Sequence, residues 1–399
     1  MKADMNIMRV ILHVLLLAAC ARAAEVRSWT DHKNRSVEAR MLGLEGETVI
    51  LELKDGRKLP FPLANLSVAD VAFARSQGAK GDAESADGSE KSAPNFAAAW
   101  PDRIKFGEDP EIKVVEEDGE RKRFVYESAN YRYTCDVRLS KTVVKGFAVM
   151  FEATYLFCRS LPLGLDGGRR DGGKLQIRLF EKIDDYSKAG GPQGTAGVFL
   201  GGDALVLVPL SSLGVRTMGS GYTFDRDKSS KTLPHELAHQ LTAEAYFAPG
   251  GMGWFSEGIA EYIAVTPYRS GAYSVRNNQK DIIDYVTEYG ANGNGGRALG
   301  KELQLADLKT YMLQEYERFM ENPQLNYGSA LLITYYFLQM DGDGDAKRIK
   351  AFLKALRDGT TGGDALAVLL DGRSFGQLEK EISKAWKRQG VELVFAAAR

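Results

Sequence analysis

Pro234-His235-Glu236-Leu237-Ala238-His239-Gln240 decides how this chain is read. It has the form H-E-x-x-H, set among apolar residues that suit a helix. Histidines four apart lie on one helix face, so both imidazoles can reach a single zinc ion. Glu236 sits one step round the helix, where it can touch a zinc-bound water but not the zinc. That geometry makes a nucleophile from water near neutral pH and supplies the base that takes its proton. The chain has four histidines in 399 residues. The other two, His13 and His32, lie far upstream, so the pattern stands out from its background.

A catalytic zinc needs a third protein ligand and an open position. No histidine follows His239, and neither Cys135 nor Cys158 is near the motif, so the third ligand is expected to be a carboxylate. Glu257 is the candidate, in Gly253-Trp254-Phe255-Ser256-Glu257-Gly258-Ile259-Ala260-Glu261-Tyr262. This segment reads as a second helix, begun by the turn Gly250-Gly251-Met252-Gly253. Glu261 follows one turn later on the same face, where it can hydrogen-bond the outer nitrogen of a ligand histidine and fix its tautomer. Trp254, Phe255, Ile259 and Ile263 predict that the helix is buried rather than a charged surface.

H-E-x-x-H followed by W-F-x-E-G-x-A-E-Y resembles the gluzincin metallopeptidases, the thermolysin and aminopeptidase-N group, and most of all the peptidase-MA-like domains of exported bacterial proteins. The resemblance implies a zincin-like α+β domain, a Zn2+ cofactor held by His235, His239 and Glu257, and Glu236 as catalytic base. The His239-to-Glu257 gap is one residue shorter than the common aminopeptidase spacing, and the amine-recognition motif G-x-M-E-N is absent. The family also stabilises the oxyanion with a Tyr or His donor. With no histidine to spare, the resemblance points to Tyr327 in Asn326-Tyr327-Gly328-Ser329-Ala330, taken as a tyrosine beginning a later helix; Tyr335 and Tyr336 are expected in the core.

The N-terminus reads as an export signal. Lys2 and Arg9 precede the apolar run 10–19, which is too short to span a membrane. Ala21-Arg22-Ala23 fits a cleavage site that removes residues 1–24. Leu17-Ala18-Ala19-Cys20 resembles a lipobox and would tether the chain to a membrane through a lipidated Cys20. Either way the chain leaves the cytoplasm. In an oxidising compartment Cys135 and Cys158 could pair, one on a strand and one late in the following helix.

Residues 25–76 read as a small separate β domain, with alternating segments at 36–44 and 48–53, an Asp55-Gly56 hairpin signal, and a short helix closing at 66–70. The R-x-W-T-D opening, E-A-R-x-x-G-L centre and P-L-x-x-L-S-x-A-D ending resemble the Sla-one homology domain one, which implies an SH3-like barrel. Such a barrel serves as an appendage or binds a protein partner. Residues 77–100 form a polar linker.

Residues 101–270 read as the α+β catalytic domain. Strands are expected near 124–126, 131–137, 175–180 and 204–208, with the glycine-rich 194–202 as half of a hairpin. In the resembling family such a strand edges the cleft and binds extended peptide. Residues 271–399 read as a helical C-terminal lobe, with helices at 281–286, 305–320, 329–340, 346–357 and 375–386. Asp341-Gly342-Asp343-Gly344-Asp345 lacks the glycine and glutamate that a calcium loop needs. Net charge is −1, so there is no electrostatic case for nucleic acid. The alternative to an enzyme acting on peptide or protein substrates is an inactive peptidase-like or adaptor protein, binding partners through the small barrel.

Overall fold

The computed structural model describes residues 26–30, 35–45, 48–66, 70, 74, 94, 96–107, 109–168, 173–226, 233–288 and 295–397. The leader, Cys20, most of the short helix expected at 66–70 and most of the linker lie outside the described residues. The chain forms two compact units, Met1–Lys91 and Ser92–Arg399, and is mixed α+β.

The first unit carries a four-stranded antiparallel sheet in the order β1 (Arg27–Thr30), β2 (Ser36–Glu45), β3 (Thr48–Leu53), β4 (Lys58–Pro62). Its core holds Trp29, Ala39, Met41, Val49 and Leu51, which alternate inward along their strands. Trp29 Nε1 donates to Ala39 O at 3.1 Å. The β3–β4 connection turns at Gly56, whose φ of 81° explains the Asp55-Gly56 signal.

The second unit is built on a six-stranded mixed sheet. Along the chain come β5 (Arg103–Lys105), β6 (Lys113–Asp118), β7 (Arg123–Glu127), β8 (Tyr131–Cys135), α1 (Lys141–Ser160), β9 (Leu175–Phe180), α2 (Ile183–Lys188), β10 (Val198–Leu200) and β11 (Leu205–Pro209). The sheet order is β10-β11-β9-β8-β7-β6, parallel across β11-β9-β8 and antiparallel elsewhere. Helix α1 starts at Ser140, whose hydroxyl caps Val143 N. It lays Phe147 and Phe151 on Tyr133, with ring centroids 5.4 and 5.2 Å apart. A hairpin, β12 (Val215–Met218) and β13 (Gly221–Phe224), leads towards α3 (Leu233–Leu241) and α4 (Trp254–Val265).

Several expectations need correction. No boundary falls at 270: β14 (Tyr268–Arg269) and β15 (Ala272–Ser274) form a sheet with β5, so the chain on either side of that point shares one fold. Residues 96–100 are not linker, because Phe96 and Trp100 pack against the core of the second unit.

The C-terminal part is not all helix. After α5 (Gln279–Thr287), residues 302–305 form β16, paired in parallel with β17 (Glu392–Phe395). Leu303 and Leu305 alternate inward there, and that period of two was masked by the leucine spacing that follows. Asp307 then caps a new helix, α6 (Leu308–Leu313), and α7 (Tyr316–Phe319) is separate from it. Helix α8 runs Pro323–Tyr335 and ends in a π-turn at Tyr336–Met340, with Tyr335 and Tyr336 buried. Helices α9 (Lys347–Arg357), α10 (Gly362–Leu370) and α11 (Phe375–Lys387) follow, and α10 had no counterpart in the sequence reading. Asp341 is not a calcium ligand in waiting. It is buried and ion-paired to Arg348 at 3.0 Å and Arg373 at 2.9 Å.

Cys135 and Cys158 are both buried and free. The pairing expected between them fails on direction. Helix α1 begins near the end of β8 that carries Cys135 and runs back along the strand. Cys158, near the helix's far end, therefore faces Tyr131 and Tyr273, whereas Cys135 faces Tyr126.

Candidate metal centre

Helix α3 buries Leu233, Leu237, Ala238 and Leu241 completely and turns His235, Glu236 and His239 to the other side. Helix α4 starts from Gly253, whose φ of 75° suits glycine and whose N–H donates to Ser256 Oγ at 3.0 Å. Trp254, Phe255, Ile259 and Ile263 anchor it in the core, as their spacing predicts. Gly258 lets α4 meet α8: a Cβ there would lie 2.5 Å from Ala330 O and would also strike Thr334 Oγ1. The small residue between Glu257 and Ile259 thus sets how deeply the two glutamates sit.

The expected ligand residues converge. His235 Nε2 and His239 Nε2 are 3.0 Å apart. Glu257 Oε2 lies 3.2 Å from the first and 3.1 Å from the second. All three residues are buried. Glu257 Oε2 faces both imidazoles yet makes no hydrogen bond among the described residues. Two imidazole nitrogens and one carboxylate oxygen this close together are a donor set that would suit a zinc ion, with His235, His239 and Glu257 holding it.

Glu261 Oε1 lies 3.1 Å from His235 Nδ1, the outer nitrogen, as the helix spacing anticipates. His239 Nδ1 is buried and has no hydrogen-bond partner among the described residues. Glu236 Oε2 accepts a 2.9 Å hydrogen bond from Phe199 N on β10, the last strand in its sheet. The glycine-rich segment expected beside the motif helix therefore does lie against it.

Tyr327 is placed beside His235, with ring centroids 5.8 Å apart. It is the fifth residue of α8 rather than its first, and its hydroxyl points to Met320 Sδ at 3.7 Å. The tyrosine that begins a helix is Tyr316, in α7. Its hydroxyl donates to Glu257 Oε1 at 3.0 Å. Sequence reading missed Tyr316, although "a tyrosine beginning a later helix" describes it better than Tyr327. Arg297 was also missed, and no local signal marks it. Its guanidinium donates to Glu261 Oε1 at 2.7 Å and lies 4.7 Å above the Tyr327 ring.

The electrostatics follow from burial and these pairs. Burial alone would raise Glu257, but His239 and His235 outweigh it and hold the carboxyl well below the ordinary range. Glu261 is likewise pushed up by burial and pulled below its usual value by His235 and Arg297. Burial opposes protonation of His235, yet Glu257 and Glu261 drive its pKa up. Burial, reinforced by the Glu257 carboxylate, raises both Tyr316 and Tyr327, so each hydroxyl stays protonated as a donor. Of the three acidic side chains at the site, Glu236, Glu257 and Glu261, the Arg297 guanidinium pairs with Glu261. A divalent cation bound by these residues would take the place of the proton that Glu257 and Glu261 draw onto His235.

Residues 19–80 match the family model of SLA1 homology domain 1, SHD1. The N-terminal domain is supported as SHD1. The Arg27–Asp70 pair at 2.7 Å and the Thr30 N–Asp70 Oδ2 bond at 2.7 Å tie the first strand of the SHD1 region to its end. No curated protein matches the chain.

Proposed function

We propose that the Ser92–Arg399 unit is a zinc metallopeptidase with a zincin-like fold of the gluzincin type, exported from the cytoplasm by the leader at residues 1–24. The observation that carries this reading is the triangle of His235 Nε2, His239 Nε2 and Glu257 Oε2, with sides of 3.0–3.2 Å and Glu236 beside it. Two nitrogens and one oxygen in this geometry suit zinc with a fourth position open. The burial of all three residues, with Glu257 Oε2 facing both imidazoles, supports the same fit.

Zinc held there lowers the pKa of a water molecule and polarises the scissile carbonyl. The chain's own residues do the rest. Glu236, held by Phe199 N, takes a proton from the attacking water and delivers it to the leaving amine. Glu261 accepts from His235 Nδ1, which keeps the Nε2 lone pair turned inward, and Arg297 fixes Glu261. Tyr327 and Tyr316 are the neutral hydroxyls available to donate to the oxyanion, and Tyr316 also holds Glu257.

The test is hydrolysis of an unfolded protein by the zinc-loaded chain. Cleavage by wild type that is lost in Glu236→Gln, with zinc retained, is expected. Absence of cleavage at full zinc occupancy would remove the enzymatic reading. A second reading rests on the SHD1 match: an SH3-like barrel that tethers a protein partner. Deleting residues 25–76 separates the two, because a tether loses its partner and a bare appendage leaves both binding and cleavage unchanged.

A further inference from the structure

We propose a second binding site, apart from the candidate metal centre, that takes a neutral, polyhydroxylated ligand the size of a mono- or disaccharide. The proposal stands whether or not the chain is a peptidase. The site is a cavity of about 320 Å³ between the start of α5 and the end of α8, with Trp100, Asn277, Gln279, Tyr335 and Gln339 in its wall. That volume lies at the lower end of the roughly 300–1,000 Å³ usual for small-molecule sites. Tyr335 is eight residues beyond Tyr327, roughly 12 Å along α8, and no wall residue belongs to the candidate metal centre. Two breaks in regular backbone meet at this cavity. Asn277, with a φ of 62°, turns the chain from β15 into α5 through the left-handed region, which asparagine tolerates better than most residues. Helix α8 gives way to the π-turn Tyr336–Met340, and such turns occur often at functional sites.

The walls are held from behind, so the cavity is built before a ligand arrives. Val275 N and Arg276 N both donate to Asp102 O at 3.0 Å, and the buried Asn278 donates from Nδ2 to Thr266 Oγ1 at 3.2 Å. The Trp100 ring meets Tyr262 of α4 edge-on, with centroids 6.5 Å apart. The wall chemistry then selects the ligand. Among the described residues its only charged side chains, Asp102 and Arg276, pair with each other at 2.9 Å, so no net charge is left to attract an ion. The amides of Asn277, Gln279 and Gln339 each offer both donors and an acceptor, as the hydroxyls of a sugar do. Gln279 Nε2 has no partner among the described residues and can turn to a ligand without giving up a bond. An apolar ligand would leave these amides unpaired. Trp100 and Tyr335 supply ring surface for the C–H face of a sugar ring.

The test titrates cellobiose, maltose and lactose into the full chain, read by calorimetry and by tryptophan emission. At least one of these neutral disaccharides should bind with a Kd of about 1 mM or tighter. The aldonic acid of the tightest one should bind at least about threefold more weakly, because its charge finds no free partner. Gln279→Ala and, separately, Gln339→Ala should each weaken the tightest disaccharide about 3–10-fold while leaving the urea midpoint unchanged. Glu257→Ala, altered at the candidate metal centre, should bind it as wild type does. Failure of all three disaccharides to bind at about 1 mM or tighter overturns the proposal. So does an acid that binds as well as its parent sugar. Affinity that Glu257→Ala removes and both glutamine variants keep would put the ligand at the metal centre and overturn it too. Loss of zinc or of cleavage leaves these results untouched, so the failure of either reading is seen separately.

Discussion

Replacing Gly258 with alanine should damage the fold and the candidate metal centre by one mechanism. The new Cβ would stand 2.5 Å from the Ala330 carbonyl oxygen and would also strike Thr334 Oγ1. The carbonyl belongs to helix α8 and cannot swing aside as a flexible side chain would. Ordinary contact begins near ~3.4 Å, so α4 and α8 must part by about 1 Å. Overpacking of this kind costs about 1–3 kcal/mol, with backbone clashes at the upper end. Alanine returns about 1 kcal/mol through its better helix propensity. The net expectation is a loss of about 2 kcal/mol, read as a lower urea midpoint in metal-free protein. Glu257 adjoins the substituted residue, and metal-ligand distances tolerate only about 0.2 Å. Zinc affinity, measured by competition with a chromophoric chelator, should therefore fall more than tenfold. Gly363→Ala is the control, since its Cβ meets nothing within 4 Å, and it should be neutral or slightly stabilising. Wild-type stability and zinc affinity in Gly258→Ala would refute the close α4–α8 contact as the device that places Glu257.

Glu261→Ala should weaken zinc binding by about 10–100-fold, and Arg297→Met should weaken it in the same direction by less, because the histidine tautomer and orientation lose their support; unchanged affinity in Glu261→Ala would show that His235 needs no partner. Cys135 and Cys158 should resist iodoacetamide in the native chain and react in urea without reductant, since burial pushes Cys135 up to about 12 and Cys158 higher still. A requirement for reductant would show the disulfide after all. In metal-free protein, burial would raise Glu257 and Glu261, but His239, His235 and Arg297 hold them below their unfolded value of 4.5. Their stabilisation is thus present above about pH 4.5 and lost as pH falls below it. The urea midpoint should drop between pH 6 and pH 3, and drop less in the Glu257→Gln, Glu261→Gln double variant.

What the sequence shows and hides follows from the range of each interaction. His235, Glu236 and His239 lie on one helix, and Glu257 and Glu261 on the next, so a helical period places them on matching faces. Asp55-Gly56 is as local, because one positive φ defines the turn. Tyr316 and Arg297 reach the same site only through the packing of α7 and of the segment after α5, and no periodicity encodes that approach. The pairing of Glu302–Leu305 with Glu392–Phe395 joins strands about ninety residues apart, so no local pattern announces it, and Leu305 falls within the helix expected at 305–320. The cysteine pair shows the limit in another form. A strand and the helix after it do pack together, but which ends meet depends on the direction of the helix, and that placed the two sulfurs at opposite ends.

The zinc content of wild type and Glu257→Ala, purified side by side and reconstituted in the same buffer, tests the central claim most directly. One zinc per wild-type chain, largely lost in Glu257→Ala while the fold is kept, is the predicted result. Wild-type protein that holds no zinc after reconstitution would contradict the account and bring the adaptor reading forward.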